Sequence, residues 1–215
     1  MRVYALDRCE DGELDHIASR ILAGDIFIFP SDTVYGIGCS ARSQLAVDRV
    51  FDVKRRDPGK PLPVFVASVE AALVSIHPLE RDALERIGRA FWPGAVTVVA
   101  DVLNSGLCVQ PSSQGMATSI GFRVPAHSGL LRLLERGLTV SQTSLNESGA
   151  ETIRDVAAPA ADVLRSRVDF ELTSRLRPVG TASTVVRITP DGVRVLREGS
   201  IAGADIAKAI DGCLL

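Results

Sequence analysis

Short apolar runs alternate with amphipathic helical patterns along the whole chain, and no linker, repeat or low-complexity segment interrupts them. Such alternation is typical of layered α/β folds, in which helices cover the faces of a sheet. After residue 180 the strand patterns follow each other more closely, which favours antiparallel pairing there. The sequence therefore predicts one domain over residues 1–215 with an α/β (α+β) fold. Its expected core is a twisted, mixed parallel and antiparallel sheet with flanking helices.

The predicted elements place several polar residues at strand ends. Helical periodicity predicts helices over about 11–23, 44–54, 69–75, 80–90, 128–136, 151–165 and 203–211. Strands are predicted over 26–29, 62–67, 95–102, 119–124, 138–143, 183–188 and 193–197. Open α/β sheets bind ligands beyond strand ends, which would place these polar clusters in one crevice. Each cluster taken alone is explained by turn chemistry, since Ser, Asp and Asn satisfy local backbone groups. Asp32, in a Pro-Ser-Asp turn, is expected to cap backbone amides, and a role as a base or magnesium ligand is the alternative.

Composition excludes several classes of protein. Of the 215 residues, 46% are hydrophobic and 23% are charged, which suits a folded core rather than a disordered chain. No run approaches the ~18 uninterrupted apolar residues that a membrane span needs. The N-terminal segment turns acidic where a secretory signal would be apolar, and the four cysteines and three histidines lack metal-ligand spacing. We therefore expect a cytoplasmic protein with no membrane segment and no metal held by its own side chains.

A basic segment at the end of a predicted helix points to a phosphate site. Residues 54–60, Lys-Arg-Arg-Asp-Pro-Gly-Lys, hold four cations within seven positions. The helix macrodipole explains one or two of them, but not Lys60, which lies beyond the helix on a loop stiffened by proline and glycine. Lys54 and Lys60 are two of the only three lysines in a chain with 24 basic residues, so a compact ammonium is favoured here. The net charge of −2 favours a small polyanion over a long nucleic acid.

Seven ordered motifs spread over about residues 20–200 carry a resemblance to a known family. The motifs are Pro30–Gly38, Lys54–Pro63, Phe91–Thr97, Gly121–Pro125, Ser144–Gly149, Ser183–Val186 and Leu196–Gly199. In sequence and order they resemble those of the YrdC-like threonylcarbamoyl-AMP synthases. The chain has the length of the short form of that family, so we expect it to lack the additional C-terminal domain that some members carry.

The resemblance implies a YrdC-like domain with a basic concave face, and an enzyme of the nucleotidyltransferase class. Members combine L-threonine, bicarbonate and ATP into threonylcarbamoyl-AMP and pyrophosphate, and Mg²⁺ is expected as the cofactor that accompanies ATP. The product supplies the threonylcarbamoyl group of adenosine 37 in tRNAs, and a separate transferase complex performs the transfer. The resemblance also allows a weak contact with tRNA and a hand-off of the product to that complex.

The resemblance also assigns site residues. Those that would bind ATP are Lys54, Arg56, Lys60, Ser119, Ser144, Asn146 and Arg197. Lys54 and Arg56 would act in catalysis, because phosphoryl-type chemistry needs neutralisation of phosphate charge. Thr33, Arg123 and Ser183 would hold L-threonine, and the Arg123 guanidinium suits paired bonds to its carboxylate.

Three departures from the family pattern keep other interpretations open. Leu145 replaces a small alanine and is expected to add bulk beside the nucleotide, Arg55 stands where glycine is common, and residues 169–179 lack a glycine-rich character. The first and the last leave open a non-catalytic RNA-binding paralogue on the same fold, although near-neutral charge and 5% aromatic residues argue against it. A carbamoyl-transfer module, like the related domain of hydrogenase maturation proteins, is the third interpretation. It lacks support because the zinc-type cysteine motifs of those proteins are missing from this sequence.

Overall fold

The computed structural model describes residues 1–146, 159–190 and 192–209, whose strands form one ten-stranded sheet. The strands are β1 (Arg2–Ala5), β2 (Phe27–Pro30), β3 (Tyr35–Ser40), β4 (Val64–Phe65), β5 (Val96–Asp101), β6 (Ser119–Arg123), β7 (Val140–Ser144), β8 (Phe170–Thr173), β9 (Thr184–Thr189) and β10 (Gly192–Arg197). The helices are α1 (Asp11–Leu22), α2 (Gln44–Lys54), α3 (Val69–Leu73), α4 (Arg81–Phe91), α5 (Ser128–Leu134), α6 (Pro159–Arg165) and α7 (Gly203–Ala209). Of these helices, none is long and apolar enough to cross a membrane.

The sheet is mixed, as predicted. Its strand order is β1-β8-β2-β3-β7-β4-β6-β5-β9-β10. The pairs β1–β8, β2–β8, β4–β6 and β5–β9 are parallel, and the remaining neighbours are antiparallel. The antiparallel pairing of β9 with β10 confirms the expectation drawn from their close spacing in the sequence.

Alternation of side chains along β2 shows how helices cover both faces of the sheet. Phe27 and Phe29 point into an apolar cluster with α1 and α5, whereas Ile28 points into a second cluster with α2 and α6. A third cluster packs α3, α4 and α7 against β5, β6 and β9. Burial of apolar side chains on both faces is the main source of stability for such a layered domain.

Most predicted elements are confirmed within a few residues, and α2 has its predicted bounds. Residues 151–158 and 210–211 of two predicted helices lie outside the described residues. Three strands, β1, β3 and β8, were not predicted. The glycines of β3 hide its strand pattern, because glycine is depleted in strands. Close packing requires them here: a Cβ on Gly36 would lie 2.5 Å from the Phe29 ring, and one on Gly38 would lie 2.9 Å from Val140.

Candidate active site

One cavity of about 400 Å³ brings together seven of the ten residues predicted to bind substrates. The seven are Thr33, Arg56, Ser119, Arg123, Ser144, Ser183 and Arg197. The cavity lies against the sheet itself, where Thr97, Val99 and Gly121 of β5 and β6 line it. Its size is that of an ordinary small-molecule site. Of the polar residues at strand ends, Thr33, Arg123, Ser144 and Arg197 therefore share one crevice, whereas Asp32 and Asn146 are not in its lining.

Arg123, at the end of β6, is buried and donates hydrogen bonds from all three of its guanidinium nitrogens. Nε donates to the Gly94 carbonyl at 2.7 Å, and Nη1 donates to Thr33 Oγ1 at 2.9 Å. Nη2 lies 2.6 Å from each carboxylate oxygen of Asp32. Asp32 is thus an ion-pair partner, and the expectation that it caps backbone amides is wrong. Ser31 caps the turn instead, since its Oγ accepts from the Thr33 N–H.

The segment that precedes β9 is hydrogen-bonded to the turn that contains Asp32 and Thr33. Its Val179 and Gly180 N–H groups donate to the carbonyls of Asp32 and Thr33 at 3.2 and 2.7 Å. Farther along, Ser183 is buried and shares a hydrogen bond of 2.8 Å with Thr97. Arg197 donates from Nη2 to the Ser183 carbonyl at 2.8 Å. The residues predicted to hold L-threonine therefore lie in one hydrogen-bonded framework.

Lys54 lies behind the cavity wall and is not among the residues that line it. Only 2% of the residue is exposed. Its Nζ donates to Thr143 Oγ1 at 3.1 Å, to the Ser144 carbonyl, and to Asn146 Oδ1 at 3.2 Å. Burial, and secondarily the positive charge of Arg56, lowers the pKa of Lys54 to about 7. The Lys54 ammonium therefore holds the end of β7 in position. Asn146 is one of its hydrogen-bond partners and, like Lys54, is not among the residues that line the cavity.

Arg56 is the basic residue of the 54–60 segment that reaches the cavity. Its Nε donates to the Lys60 carbonyl at 2.7 Å, its Nη2 to the Pro61 carbonyl at 3.1 Å and its Nη1 to Thr143 Oγ1 at 3.1 Å. The Lys60 ammonium is exposed, lies 3.9 Å from Asp57 and is not among the lining groups. The structure therefore brings Arg56, but not the Lys60 side chain, to the predicted phosphate site.

Two further residues differ from the sequence expectations. Leu145 is fully buried in the apolar cluster with α2 and β3, so the expectation that it adds bulk beside the nucleotide is wrong. Its neighbour Ser144 lines the cavity, because successive side chains of an extended chain point to opposite sides. Thr97 and Thr143 also line the cavity, although sequence reasoning assigned them no binding role. Thr97 is the last residue of the Phe91–Thr97 motif, and its place in that motif is the sequence signal that could have marked it as a site residue.

The molecule is thus an α/β domain whose mixed sheet carries a cavity of small-molecule size, with Arg56, Arg123 and Arg197 in its lining. The family model for Sua5, YciO and YrdC, described as "Telomere recombination", matches residues 19–199. The chain belongs to this Sua5/YciO/YrdC family.

The comparisons also identify individual proteins that the chain resembles. The threonylcarbamoyl-AMP synthase of Pyrococcus abyssi is 29% identical over 205 residues, covering 95% of this chain and 59% of that protein. The threonylcarbamoyl-AMP synthase of Aliivibrio fischeri is 31% identical over 153 residues, covering 70% of this chain and 80% of that protein. The solved structure of P. abyssi Sua5 complexed with L-threonine matches with a TM-score of 0.85 and 27% identity, over 98% of this chain and 61% of that chain. The chain spans about three fifths of the length of the P. abyssi protein and of another first relative, from Bacillus subtilis.

Proposed function

We propose that this protein is an L-threonylcarbamoyladenylate synthase, an enzyme that makes threonylcarbamoyl-AMP and pyrophosphate from L-threonine, bicarbonate and ATP. The observation that carries the proposal is the single cavity that collects seven of the ten predicted substrate residues. The names of the relatives from P. abyssi and A. fischeri support the same activity. The product would be handed to a separate transferase for modification of adenosine in tRNA, and a weak contact with tRNA stays a prediction.

The chemistry matches a site without a nucleophilic side chain. The threonine amine attacks the carbon of bicarbonate, and loss of water gives a carbamate. A carbamate oxygen then attacks the α-phosphorus of ATP, and the bond from that phosphorus to the leaving pyrophosphate oxygen breaks. Because the substrate supplies the nucleophile, the protein has to position the reactants and neutralise phosphate charge.

Arg56 is suited to bind phosphate because some of its N–H groups donate to no oxygen of the protein. A guanidinium has five N–H groups, and three nitrogens of Arg56 each donate once to protein oxygens. One N–H therefore remains on each terminal nitrogen for a phosphate oxygen. Arg197, Ser119 and Ser144 line the same cavity and would contact the nucleotide. Lys54 would act by fixing Ser144.

The L-threonine end of the cavity differs in one respect from what the sequence suggested. Arg123 donates from Nε to Gly94, from Nη1 to Thr33 and from Nη2 to the Asp32 carboxylate. A pair of bonds to the L-threonine carboxylate would compete with these bonds, whereas one N–H of Nη1 remains. We propose that the carboxylate takes this N–H of Nη1, with Ser183 nearby.

Magnesium is proposed to enter together with ATP. Mg²⁺ in nucleotide enzymes usually keeps several waters and is bound through substrate phosphates with one or two carboxylates. Among the described residues there is no group of three or more His, Cys, Asp and Glu side chains that could hold a metal ion. We therefore assign no side chain to the ion. When bound, it would neutralise phosphate charge.

Pyrophosphate release tests the proposed reaction. The protein is incubated with ATP and Mg²⁺, with and without L-threonine and bicarbonate, and L-serine replaces L-threonine as the specificity control. We expect release only when both co-substrates are present, and much slower release with L-serine. Release that ignores L-threonine, or none from folded protein, would reject the synthase. Retention of RNA that weakens with salt would then favour the RNA-binding paralogue.

Replacing Arg56 with alanine should weaken ATP binding by about 1–3 kcal/mol, because charge-assisted hydrogen bonds to phosphate are lost. Isothermal titration calorimetry with ATP and Mg²⁺ gives the affinity. Arg49→Ala is the matched control. Arg49 lies on α2, which ends at Lys54, and it pairs with Asp169 and does not line this cavity. Wild-type affinity in Arg56→Ala would contradict the phosphate assignment.

A further inference from the structure

A second cavity, of about 460 Å³, meets the first at Arg56, which lines both. It lies between the C-terminal end of α2 and the loop that contains Ser112 and Ser113. The charged residues in its lining are Arg55, Arg56, Asp48 and Asp52. The sequence singled out Arg55 as a departure from a common glycine, and the proposed function gives it no role.

The backbone at Arg55 would suit glycine better than arginine. Arg55 ends α2 in the left-handed conformation, with φ 50° and ψ 43°. Of the described residues other than glycine, only Arg55 and Asn104 have a positive φ. The left-handed conformation costs an L-residue about 1–2 kcal/mol, and glycine is the usual residue at such helix ends. A long cationic residue in this position suggests that its side chain has a use.

The side-chain contacts leave Arg55 available to a ligand. Its side chain is exposed, and within the part of the chain that the structure describes it forms no ion pair. The Asp48 carboxylate, by contrast, is already engaged, since it accepts from Gln44 and from the N–H and hydroxyl of Ser112. An anion in the second cavity would therefore meet two arginines and two carboxylates, of which Asp48 is already hydrogen-bonded within the protein and Asp52 is exposed.

We propose that the second cavity is a subsite for the terminal phosphates of a polyphosphate ligand, with Arg55 as its cation. The identification of that ligand as ATP rests on the proposed function. The nucleoside and the α-phosphate occupy the first cavity, and the phosphate chain passes Arg56 into the second. Two guanidinium groups in sequence suit a chain of phosphates, because each presents a planar fork of donors. The same subsite holds pyrophosphate before it leaves.

The test compares three ligands and three proteins by calorimetry at fixed ionic strength with Mg²⁺. The ligands are ATP, AMP and inorganic tripolyphosphate, and the proteins are wild type, Arg55→Gly and Arg8→Ala. Arg8 is exposed and lines neither cavity, so its replacement controls for loss of one positive charge. Arg55→Gly should weaken ATP and tripolyphosphate by about 5–10-fold and leave AMP within about 2-fold. Its Tm should not fall, because glycine adopts the left-handed conformation without strain.

The outcomes separate this inference from the proposed function. Equal weakening of AMP and ATP, or wild-type tripolyphosphate binding in Arg55→Gly, overturns the subsite. Absence of tripolyphosphate binding to wild type also overturns it. Arg55-dependent binding of tripolyphosphate by a protein that releases no pyrophosphate supports the subsite and rejects the synthase. Lysine at position 55 keeps the charge, and Arg55→Lys should recover part of the lost affinity.

Discussion

Arg123→Ala should lower the free energy of unfolding by about 3–5 kcal/mol, because it leaves a largely buried carboxylate without its partner. Only 3% of the Arg123 side chain and 15% of the Asp32 side chain are exposed. The variant also loses the bonds to Gly94 and Thr33, which join β6 to the turn after β2. Denaturation by urea, followed by circular dichroism, gives the free energy.

Two variants make the Arg123 result specific. Arg49→Ala removes an ion pair with Asp169 that is far more exposed, and it should cost no more than about 1 kcal/mol. Adding Asp32→Asn to Arg123→Ala should recover part of the stability, because the double variant has no unpaired carboxylate at position 32. A loss below about 1 kcal/mol in Arg123→Ala would show that the pair contributes little, and the corner of the cavity would have to be held by backbone bonds.

The free energy of unfolding of the wild type, relative to that of Lys54→Met, should rise by about 2 kcal/mol as the pH rises from 7 to 9. Burial lowers the pKa of Lys54 to about 7, from 10.5 in an unperturbed side chain. Between these values the unfolded chain binds a proton that the folded chain does not, so stability increases with pH there. Methionine has a similar length and no charge, so the variant lacks this dependence.

Urea denaturation of both proteins at pH 7, 8 and 9 measures the difference. Groups that titrate in both proteins, the cysteines among them, cancel when the two curves are subtracted. Parallel curves would show that Lys54 keeps its ordinary pKa and stays charged throughout. The hydrogen bonds to Thr143, Ser144 and Asn146 would then outweigh the cost of burial.

Local patterns in the sequence predicted most of the elements, and helical periodicity gave α2 its bounds. The resemblance to a known family, rather than a local pattern, assigned most of the residues that share the first cavity. What the sequence could not predict were pairings between distant residues. Asp32 and Arg123 are far apart in the chain, and only the fold brings them within 2.6 Å. The short local rule for aspartate in a turn therefore pointed to the wrong partner.

The basic segment 54–60 also shows that contacts between distant residues cannot be predicted from local sequence. Nothing in the run from Lys54 to Lys60 distinguishes a lysine that faces solvent from one that is buried, and lysine is almost always exposed. The structure buries Lys54 because α2 packs against β3 and delivers its last residue to the end of β7. It leaves Lys60 outside on the loop. Arg55, which the pattern marked as a departure, is the residue that lines the second cavity.

The position of β8 between β1 and β2 has a consequence for how the chain folds during synthesis. β8 pairs in parallel with both strands, and Phe170 stacks on Phe27 with ring centroids 5.2 Å apart and meets Tyr4 edge-on at 5.7 Å. Contacts of such large sequence separation form late and slow folding. The first part of the chain to leave the ribosome therefore carries an unfinished sheet until β8 emerges. Until then Tyr4 and Phe27 lack their partner Phe170, so the unfinished sheet exposes apolar surface of the kind that favours aggregation.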